Sequence, residues 1–252
     1  MTEFSVMAQL GILLARPGAL IAGAPAFGGA FAPMPVRLGL AVVVAILMTP
    51  AVPAQAIQSL PGLGLVMVRE MAIGLLMALA LRAVLAGAEL GGHLTGSQLT
   101  LSYGSVVDPQ GGVRNNLVAA LYSNLALMTF LGMNGHHMLL RTLARSYERL
   151  PIGIGGVGPS MGTTVVQMLG VIFELGVRLA APIIVVMLLV EVGTALMARV
   201  APTLNLMAVA PPVRLAVGLL AMAAMIPFVP PIVRGATAGL GDLLMRALGA
   251  FR

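Results

Sequence analysis

Long apolar runs, interrupted by proline, glycine and charged residues, are the dominant pattern along this chain. They predict six helical segments, at residues 6–23, 36–49, 63–90, 117–147, 161–199 and from about 212 onward. Proline lacks a backbone donor and ends or breaks helices, so we expect a stop at Pro50 and breaks at Pro227, Pro230 and Pro231. An amphipathic stretch, 240–252, ends the chain. The pattern predicts an all-α protein of about six long, broken helices.

Stretches rich in glycine and proline separate these segments and predict loops at residues 24–35, 91–116 and 151–159. Pro182 predicts a kink inside the fifth segment. The spacing of the prolines divides the chain into a four-helix part, residues 1–150, and a two-helix part, residues 151–252.

The composition identifies the class of protein. Of the 252 residues, 59% are hydrophobic and only 9% are charged, against about a quarter in soluble domains. This balance excludes a soluble enzyme and a disordered chain, and at about 20 residues per span the chain is long enough for six membrane helices. The 14 basic residues are all arginine and are scattered, with a net charge of +6, which disfavours nucleic-acid binding. The absence of cysteine excludes disulfides and thiolate metal sites.

Eight charged residues lie inside the apolar segments: Arg16, Arg69, Glu70, Arg82, Glu89, Glu174, Arg178 and Glu191. A charge at the centre of a bilayer costs about 2.5–3.5 kcal/mol even on the lenient insertion scale. We therefore expect these side chains to face protein partners or water, in an assembly or a pore. Glu174 and Arg178 are four residues apart and can pair on one helix face. Two interpretations stay open: pairs that only hold helices together, or groups that line a water-filled path.

Glycine pairs spaced four residues apart place small residues on one helical face, where backbones can approach closely. They occur at Gly87 and Gly91, Gly158 and Gly162, and Gly235 and Gly239. We expect these pairs to serve helix packing.

Sequence motifs that resemble catalytic or metal sites have a simpler interpretation. Residues 153–158 satisfy G-x-G-x-x-G, but a helix precedes them rather than the strand that dinucleotide binding requires, so we expect a flexible loop. His136 and His137 are adjacent, point about 100° apart on a helix and have no carboxylate at zinc-motif spacing. We expect no catalytic residue, no metal and no cofactor, although an intramembrane enzyme stays an alternative.

Short motifs occur in a fixed order along almost the whole chain. The first half contains Arg16-Pro17-Gly18, Ala24-Pro25-Ala26-Phe27-Gly28, Arg69-Glu70, Gly96-Ser97-Gln98-Leu99 and Asp108-Pro109. The second half contains Asn134-Gly135-His136, Ser146-Tyr147-Glu148, Glu191-x-Gly193, Arg199-x-x-Pro202-x-Leu204-Asn205-Leu206-Met207 and Pro211. In order and spacing the chain resembles the FliR family of type III secretion export-gate subunits. It departs from the family at Thr203, where many members have Gln, and at Pro211 to Arg214, where many have Phe-Pro-Leu-Lys.

The resemblance implies a non-enzymatic subunit of the flagellar protein export gate. Members of this family assemble with P and Q subunits, and with the B and A export components, into a channel for unfolded export substrates. The resemblance implies a location in the bacterial inner membrane and the flagellar basal body, with the gate projecting toward the periplasm. It also implies that residues 1–150 are P-like and residues 151–252 form a Q-like hairpin. The alternatives are an injectisome homologue and a small-molecule membrane transporter.

Residues 96–115 correspond to the loop that closes the channel in this family. The resemblance assigns the plug to Gly96, Gln98, Ser102, Tyr103, Gly104, Asp108, Pro109, Gly111, Gly112 and Arg114. Glycines give such a segment flexibility, and Asp-Pro favours a turn. The residues alone favour an ordinary loop between helices, and the plug assignment comes from the resemblance. The family motif positions are Asn134, Gly135, His136, Arg199, Pro202, Asn205 and Pro211.

Overall fold

A computed structural model describes residues 3–28, 32–49, 60–99, 117–153, 158, 161–201 and 206–249. Within these ranges the protein is helical and has no strand, which confirms the all-α prediction. The helices are α1 (Glu3–Gly23), α2 (Met34–Met48), α3 (Leu60–Gln98), α4 (Leu117–Gly132), α5 (Gly135–Arg149), α6 (Met161–Val200), α7 (Leu206–Met225), α8 (Val229–Ala238) and α9 (Leu240–Gly249). Short 3-10 turns lie at Pro25–Phe27 and Ile226–Phe228.

Fewer helices reach spanning length than the composition allows. In the described part of the chain, three stretches are long and apolar enough to cross a membrane: Pro61–Gln98, Gly162–Val200 and Val209–Arg246. The α4–α5 pair adds a fourth if it counts as one broken span. The apolar stretch of α1 and the whole of α2 are shorter, so fewer described helices reach spanning length than the six that the chain length permits.

The third helix continues beyond the predicted end at residue 90, through the segment expected to be a loop. Gly91 and Gly92 lie inside α3 because each faces a neighbouring helix at close range. A Cβ atom on Gly91 would lie 2.8 Å from Cβ of Leu179, and one on Gly92 would lie 2.7 Å from the backbone nitrogen of Ala119. These glycines therefore permit packing and do not break the helix. The prediction of a loop is therefore wrong for residues 91–98, which belong to α3.

The prediction of a single helix at residues 117–147 is wrong, because two helices, α4 and α5, meet there at a bend of 65°. Asn134 between them has a left-handed backbone, with φ at 57°, a conformation that asparagine tolerates better than most residues. Gly135 follows with no room for a side chain, because a Cβ atom there would lie 2.5 Å from ring atoms of Phe130. An Asn-Gly pair inside an apolar run is thus the signal for this break.

The C-terminal helices agree more closely with the predicted pattern. Helix α6 occupies the whole predicted fifth segment. Helix α7 begins at Leu206, before the expected start, and includes Pro211 and Pro212 near its N-terminal end. The predicted break at Pro227 is confirmed as a 3-10 turn, and Pro230 and Pro231 lie in the first turn of α8, where proline is tolerated.

The chain forms two compact units, each assembled from separate pieces of sequence. The first unit consists of Met1–Ala83, Phe130–Leu169 and Thr237–Arg252, and the second of Val84–Thr129 and Gly170–Ala236. In the first unit, buried residues of α1, α3 and α5 form the core, including Leu20, Ile73, Met77, Leu139 and Leu143. In the second unit, α3, α4 and α6 supply Val84, Ala88, Tyr122, Leu179 and Ile183. The predicted division into a P-like part, residues 1–150, and a Q-like part, residues 151–252, is a separate matter and stays a prediction.

We expect Gly135→Ala to lower the free energy of unfolding by about 1–3 kcal/mol, the usual cost of overpacking. The added methyl group forces the Phe130 ring to move. Gly132→Ala, three residues earlier, is the matched control, since a Cβ atom there meets nothing within 4 Å. Thermal unfolding of the purified full-length chain measures both. Equal melting temperatures for the two variants would contradict this account of the bend.

Candidate functional site

A buried ion pair joins α1 to α3 in the first unit. Nη2 of Arg16 lies 2.6 Å from Oε2 of Glu70, and Nε of Arg16 donates a hydrogen bond of 2.7 Å to the same oxygen. Both side chains are completely buried. Two charges removed from water in this way are tolerated only when the geometry is good and the remaining donors find acceptors.

The remaining donors of Arg16 are directed at α5 and the residue that follows it. Nη1 donates to Oγ of Ser146 at 2.8 Å, and Nη2 donates to the carbonyl oxygen of Leu150 at 3.1 Å. The guanidinium group lies 4.2 Å from the centre of the Tyr147 ring, at the distance of a cation–π contact. A single arginine thus connects three helices that are far apart in the sequence.

Close approach of α1 and α3 makes this ion pair possible. Gly74 lies one turn after Glu70, and a Cβ atom on it would lie 2.9 Å from Cβ of Ala19 and 3.1 Å from the backbone nitrogen of Leu20. Any larger residue at this position would push the helices apart. The glycine therefore sets the distance at which Arg16 and Glu70 meet.

The chemistry of this cluster is structural. Arg16 and Glu70 neutralise each other in a site closed to solvent, and their hydrogen bonds are directed at groups of the same unit. Among the described residues, no group of three or more His, Asp or Glu side chains is placed to hold a metal ion. The cluster fixes the relative position of α1, α3 and α5.

The other charges expected inside the apolar segments lie in different environments. Nε of Arg82 donates to the carbonyl oxygen of Gly23 at 2.6 Å. The guanidinium nitrogens of Arg69 are buried and have no hydrogen-bond partner among the described residues. Nε2 of His93 lies 3.8 Å from Oε1 of Glu89, and both side chains are about half exposed.

On α6 the expected pair forms. Nη2 of Arg178 lies 2.7 Å from Oε1 of Glu174, as the spacing of four predicts. The two side chains are 67% and 61% exposed, so this pair lies on an open face of the chain. Glu191, farther along α6, pairs with Arg214 of α7 at 3.3 Å. The structure brings Arg16 to Glu70 and Glu174 to Arg178, but it does not gather the eight charges into one site.

The glycine pair of α3 serves packing, as expected. Cβ atoms on Gly87 and Gly91 would lie 3.0 Å and 2.8 Å from Cβ of Leu175 and Leu179 on α6. A Cβ atom on Gly162 or Gly235 would meet nothing within 4 Å, so this close packing does not extend to those two glycines.

Only the start of the expected plug loop lies in the described part of the chain. Gly96 and Gln98 belong to the last turn of α3, and Leu99 follows them with its side chain fully buried. The other positions assigned to the plug lie outside the described residues: Ser102, Tyr103, Gly104, Asp108, Pro109, Gly111, Gly112 and Arg114. The described structure therefore gives the position where the segment leaves α3.

Most of the described family motif positions lie at helix ends. Asn134 and Gly135 form the bend between α4 and α5, and the rings of His136 and His137 lie 4.2 Å apart at the start of α5. Arg199 is exposed in the last turn of α6, and Pro211 is exposed in α7. Pro202 and Asn205 lie outside the described residues.

Ser146, Tyr147 and the carbonyl group of Leu150 are part of the Arg16 cluster that sequence reasoning did not identify. They lie about 130 residues from Arg16 along the chain, so periodicity and spacing carry no signal of the contact. The only sequence signal is the Ser146-Tyr147-Glu148 motif, which by itself assigns no role to its residues.

We expect Arg16→Met to lower the free energy of unfolding by about 3–5 kcal/mol, because it leaves the Glu70 carboxylate buried without a counter-charge. Adding Glu70→Leu should recover most of this loss, since the double variant buries neither charge of the pair. Arg82→Gln is the control and should cost only about 1 kcal/mol, because it removes one hydrogen bond to a carbonyl group. Thermal unfolding of full-length chain measures all three. No recovery in the double variant would show that a net ionic attraction stabilises the fold.

Comparison with known proteins identifies the family. The model of the family described as "Bacterial export proteins, family 1" matches residues 7–240. The chain is 31% identical over 228 residues to the flagellar biosynthetic protein FliR of Pectobacterium carotovorum subsp. carotovorum, covering 90% of this chain and 87% of that protein. It is 30% identical over 219 residues to FliR of Escherichia coli K12, covering 86% and 84%, and 29% identical over 211 residues to FliR of Caulobacter vibrioides, covering 82% and 84%. The chain therefore belongs to bacterial export protein family 1, the family of the flagellar FliR proteins.

Proposed function

We propose that this chain is a non-enzymatic core subunit of the flagellar type III export gate, which helps to form and close the channel for unfolded export substrates. The observation that carries the proposal is the family match over residues 7–240, together with similarity to flagellar FliR proteins over most of both chains. As a family member the protein is a membrane component of the flagellar export apparatus. The role as a channel-forming subunit is the part that we propose.

The surface of the C-terminal helices supports a role in an assembly. Within the most apolar stretch of the α3 span 67% is buried. The corresponding share is 22% for α6 and 17% for the span that begins in α7. Large apolar side chains such as Phe173, Val177, Leu188 and Leu189 are therefore exposed on α6. These helices require a cover of lipid or of other proteins.

The ion pair on α6 favours proteins as that cover. Glu174 and Arg178 lie on the exposed side of the helix, next to Phe173 and Val177. Lipid tails offer no hydrogen bonds to these charges, whereas a neighbouring subunit supplies polar groups. We propose that P and Q subunits cover this face, that residues 1–150 are the P-like part and residues 151–252 the Q-like hairpin, and that the B and A components join the assembly.

The proposed gate is located in the bacterial inner membrane, within the flagellar basal body, and projects toward the periplasm. Protein cover in place of lipid explains how the charges of α6 and the broken α7–α8 helix are accommodated. Residues 96–115 are proposed to close the channel. Leu99 supports this placement as an anchor, because its buried side chain contacts the position of Gly218 and fixes the end of α3.

We expect Glu174→Gln and Arg178→Gln to reduce the yield of the assembled complex several-fold without unfolding the chain. An exposed pair of this spacing contributes only about 0.3–0.5 kcal/mol to its own helix, so a large loss must come from the partner. The measurement is co-purification of the P and Q subunits in mild detergent. The control is the charge swap Glu174→Arg with Arg178→Glu. It keeps an ion pair within α6 but reverses the sign of the charge that a partner subunit contacts at each position. Normal yield for all variants, or a chain that purifies only with itself as a transporter does, would contradict the proposal.

We expect replacement of residues 102–114 by a Gly-Ser segment of equal length to increase leakage of small ions through the gate in cells that produce the complex. The replacement keeps the connection between α3 and α4 but removes the side chains that would fill the channel. Replacing residues 154–157 in the same way is the control, because those residues are not assigned to the plug. Conductance across the inner membrane is the measurement. Equal leakage in both strains would reduce residues 96–115 to an ordinary connection.

A further inference from the structure

A groove in the first unit lies between α5 and α9, which pack against each other. Its volume is about 560 Å³, within the range of sites for small ligands. Three basic residues of α5 line it, His137, Arg141 and Arg145, and α9 contributes Asp242. The groove is separate from the Arg16 cluster and from the proposed plug.

The spacing of the basic residues follows from the amphipathic character of α5. Leu139, Leu143 and Tyr147 are buried on one side of the helix. His137, Arg141 and Arg145 recur every four residues on the opposite side and are exposed, so they form a continuous row. A ligand that lies along α5 therefore meets all three.

The groove has a net positive charge within the described ranges, because two arginines and one aspartate line it. Neither Arg141 nor Arg145 forms an ion pair with Asp242 there, and no other acid lines the groove. The N-terminus of α5 opens into the same groove without a side-chain cap and without an acidic residue in its first turn. The positive end of the helix dipole adds to the attraction for an anion.

Helix α5 also changes direction where an apolar helix ends. Helix α4 is apolar along its length, and the chain bends by 65° before the polar α5 begins. A basic amphipathic helix at such a bend is suited to the surface of a membrane, with its charged row at the level of the headgroups.

We propose that this groove binds the phosphate headgroup of an anionic phospholipid. Arg141 and Arg145, one helical turn apart on α5, bind the phosphate. Met133, Met138 and Met245 line the same groove and give the first carbon atoms of the acyl chains an apolar contact. An acidic protein segment matches the arginines but has no need of this methionine wall, and we therefore favour the lipid.

The site marks the level at which one membrane surface crosses the chain. It does not depend on the gate function, because the groove, its charge and the bend belong to this chain alone. A gate that projects out of the bilayer still requires one such level, and the groove assigns it to α5 and α9.

The test measures lipid binding to the full-length chain, purified in mild detergent with the subunits that accompany it and then delipidated. Native mass spectrometry follows titration with phosphatidylglycerol or with phosphatidylcholine of the same acyl chains. We expect phosphatidylglycerol to bind more tightly and Arg141→Gln with Arg145→Gln to weaken it about thirtyfold, about fivefold per charge. Arg149→Gln is the matched control, since Arg149 lies on the same helix outside the groove and should leave binding unchanged.

The lysine variants Arg141→Lys and Arg145→Lys should keep most of the binding, which separates loss of charge from loss of structure. Equal affinity for the two lipids, or an unchanged affinity for phosphatidylglycerol in the double Gln variant, would overturn the proposal. Displacement of the lipid by a ten-residue polyglutamate peptide that binds more tightly would assign the groove to an acidic protein segment instead. Inorganic phosphate that binds as tightly as the lipid would show that the methionine wall contributes nothing.

Discussion

The buried ion pair between Arg16 and Glu70 is the constraint on which the first unit depends. Each charge loses its water and gains a counter-charge, and Arg16 also gains a hydroxyl group, a carbonyl group and an aromatic ring. The gain over an apolar contact of the same size is small, but a single displaced partner leaves a buried charge. Such a cluster therefore tolerates few arrangements of α1, α3 and α5, and it contributes specificity more than stability.

The two units use different means to bring helices together. In the first unit a polar cluster is added to the close contact at Gly74. In the second unit Gly87 and Gly91 of α3 lie against Leu175 and Leu179 of α6, so that residues spaced by four on one helix meet residues spaced by four on the other. Glycines that the sequence alone would suggest are flexible points thus allow helices to pack closely. The high glycine content reflects close backbone contact as much as loops.

The sequence was sufficient for the helical class, for the bounds of α6 and for the Glu174–Arg178 pair, because each depends on residues close together in the chain. It failed at residues 91–98 and at Asn134, because glycine and asparagine break or continue a helix according to neighbours that lie far away in sequence. For the same reason Arg16 and Glu70 were recognised as buried charges but not as partners. A separation of 54 residues between the two leaves no periodic signal.

The charges of this protein occupy three environments, and each indicates a different neighbour. Arg16 and Glu70 are enclosed by their own unit and pair with each other. Glu174 and Arg178 are exposed among apolar side chains, where we propose that another subunit supplies polar contacts. Arg141 and Arg145 are exposed on a polar helix face beside a groove, where water or an anion can accept their hydrogen bonds. These three environments match the proposed neighbours of the chain, which are its own core, other subunits of the gate and a lipid headgroup.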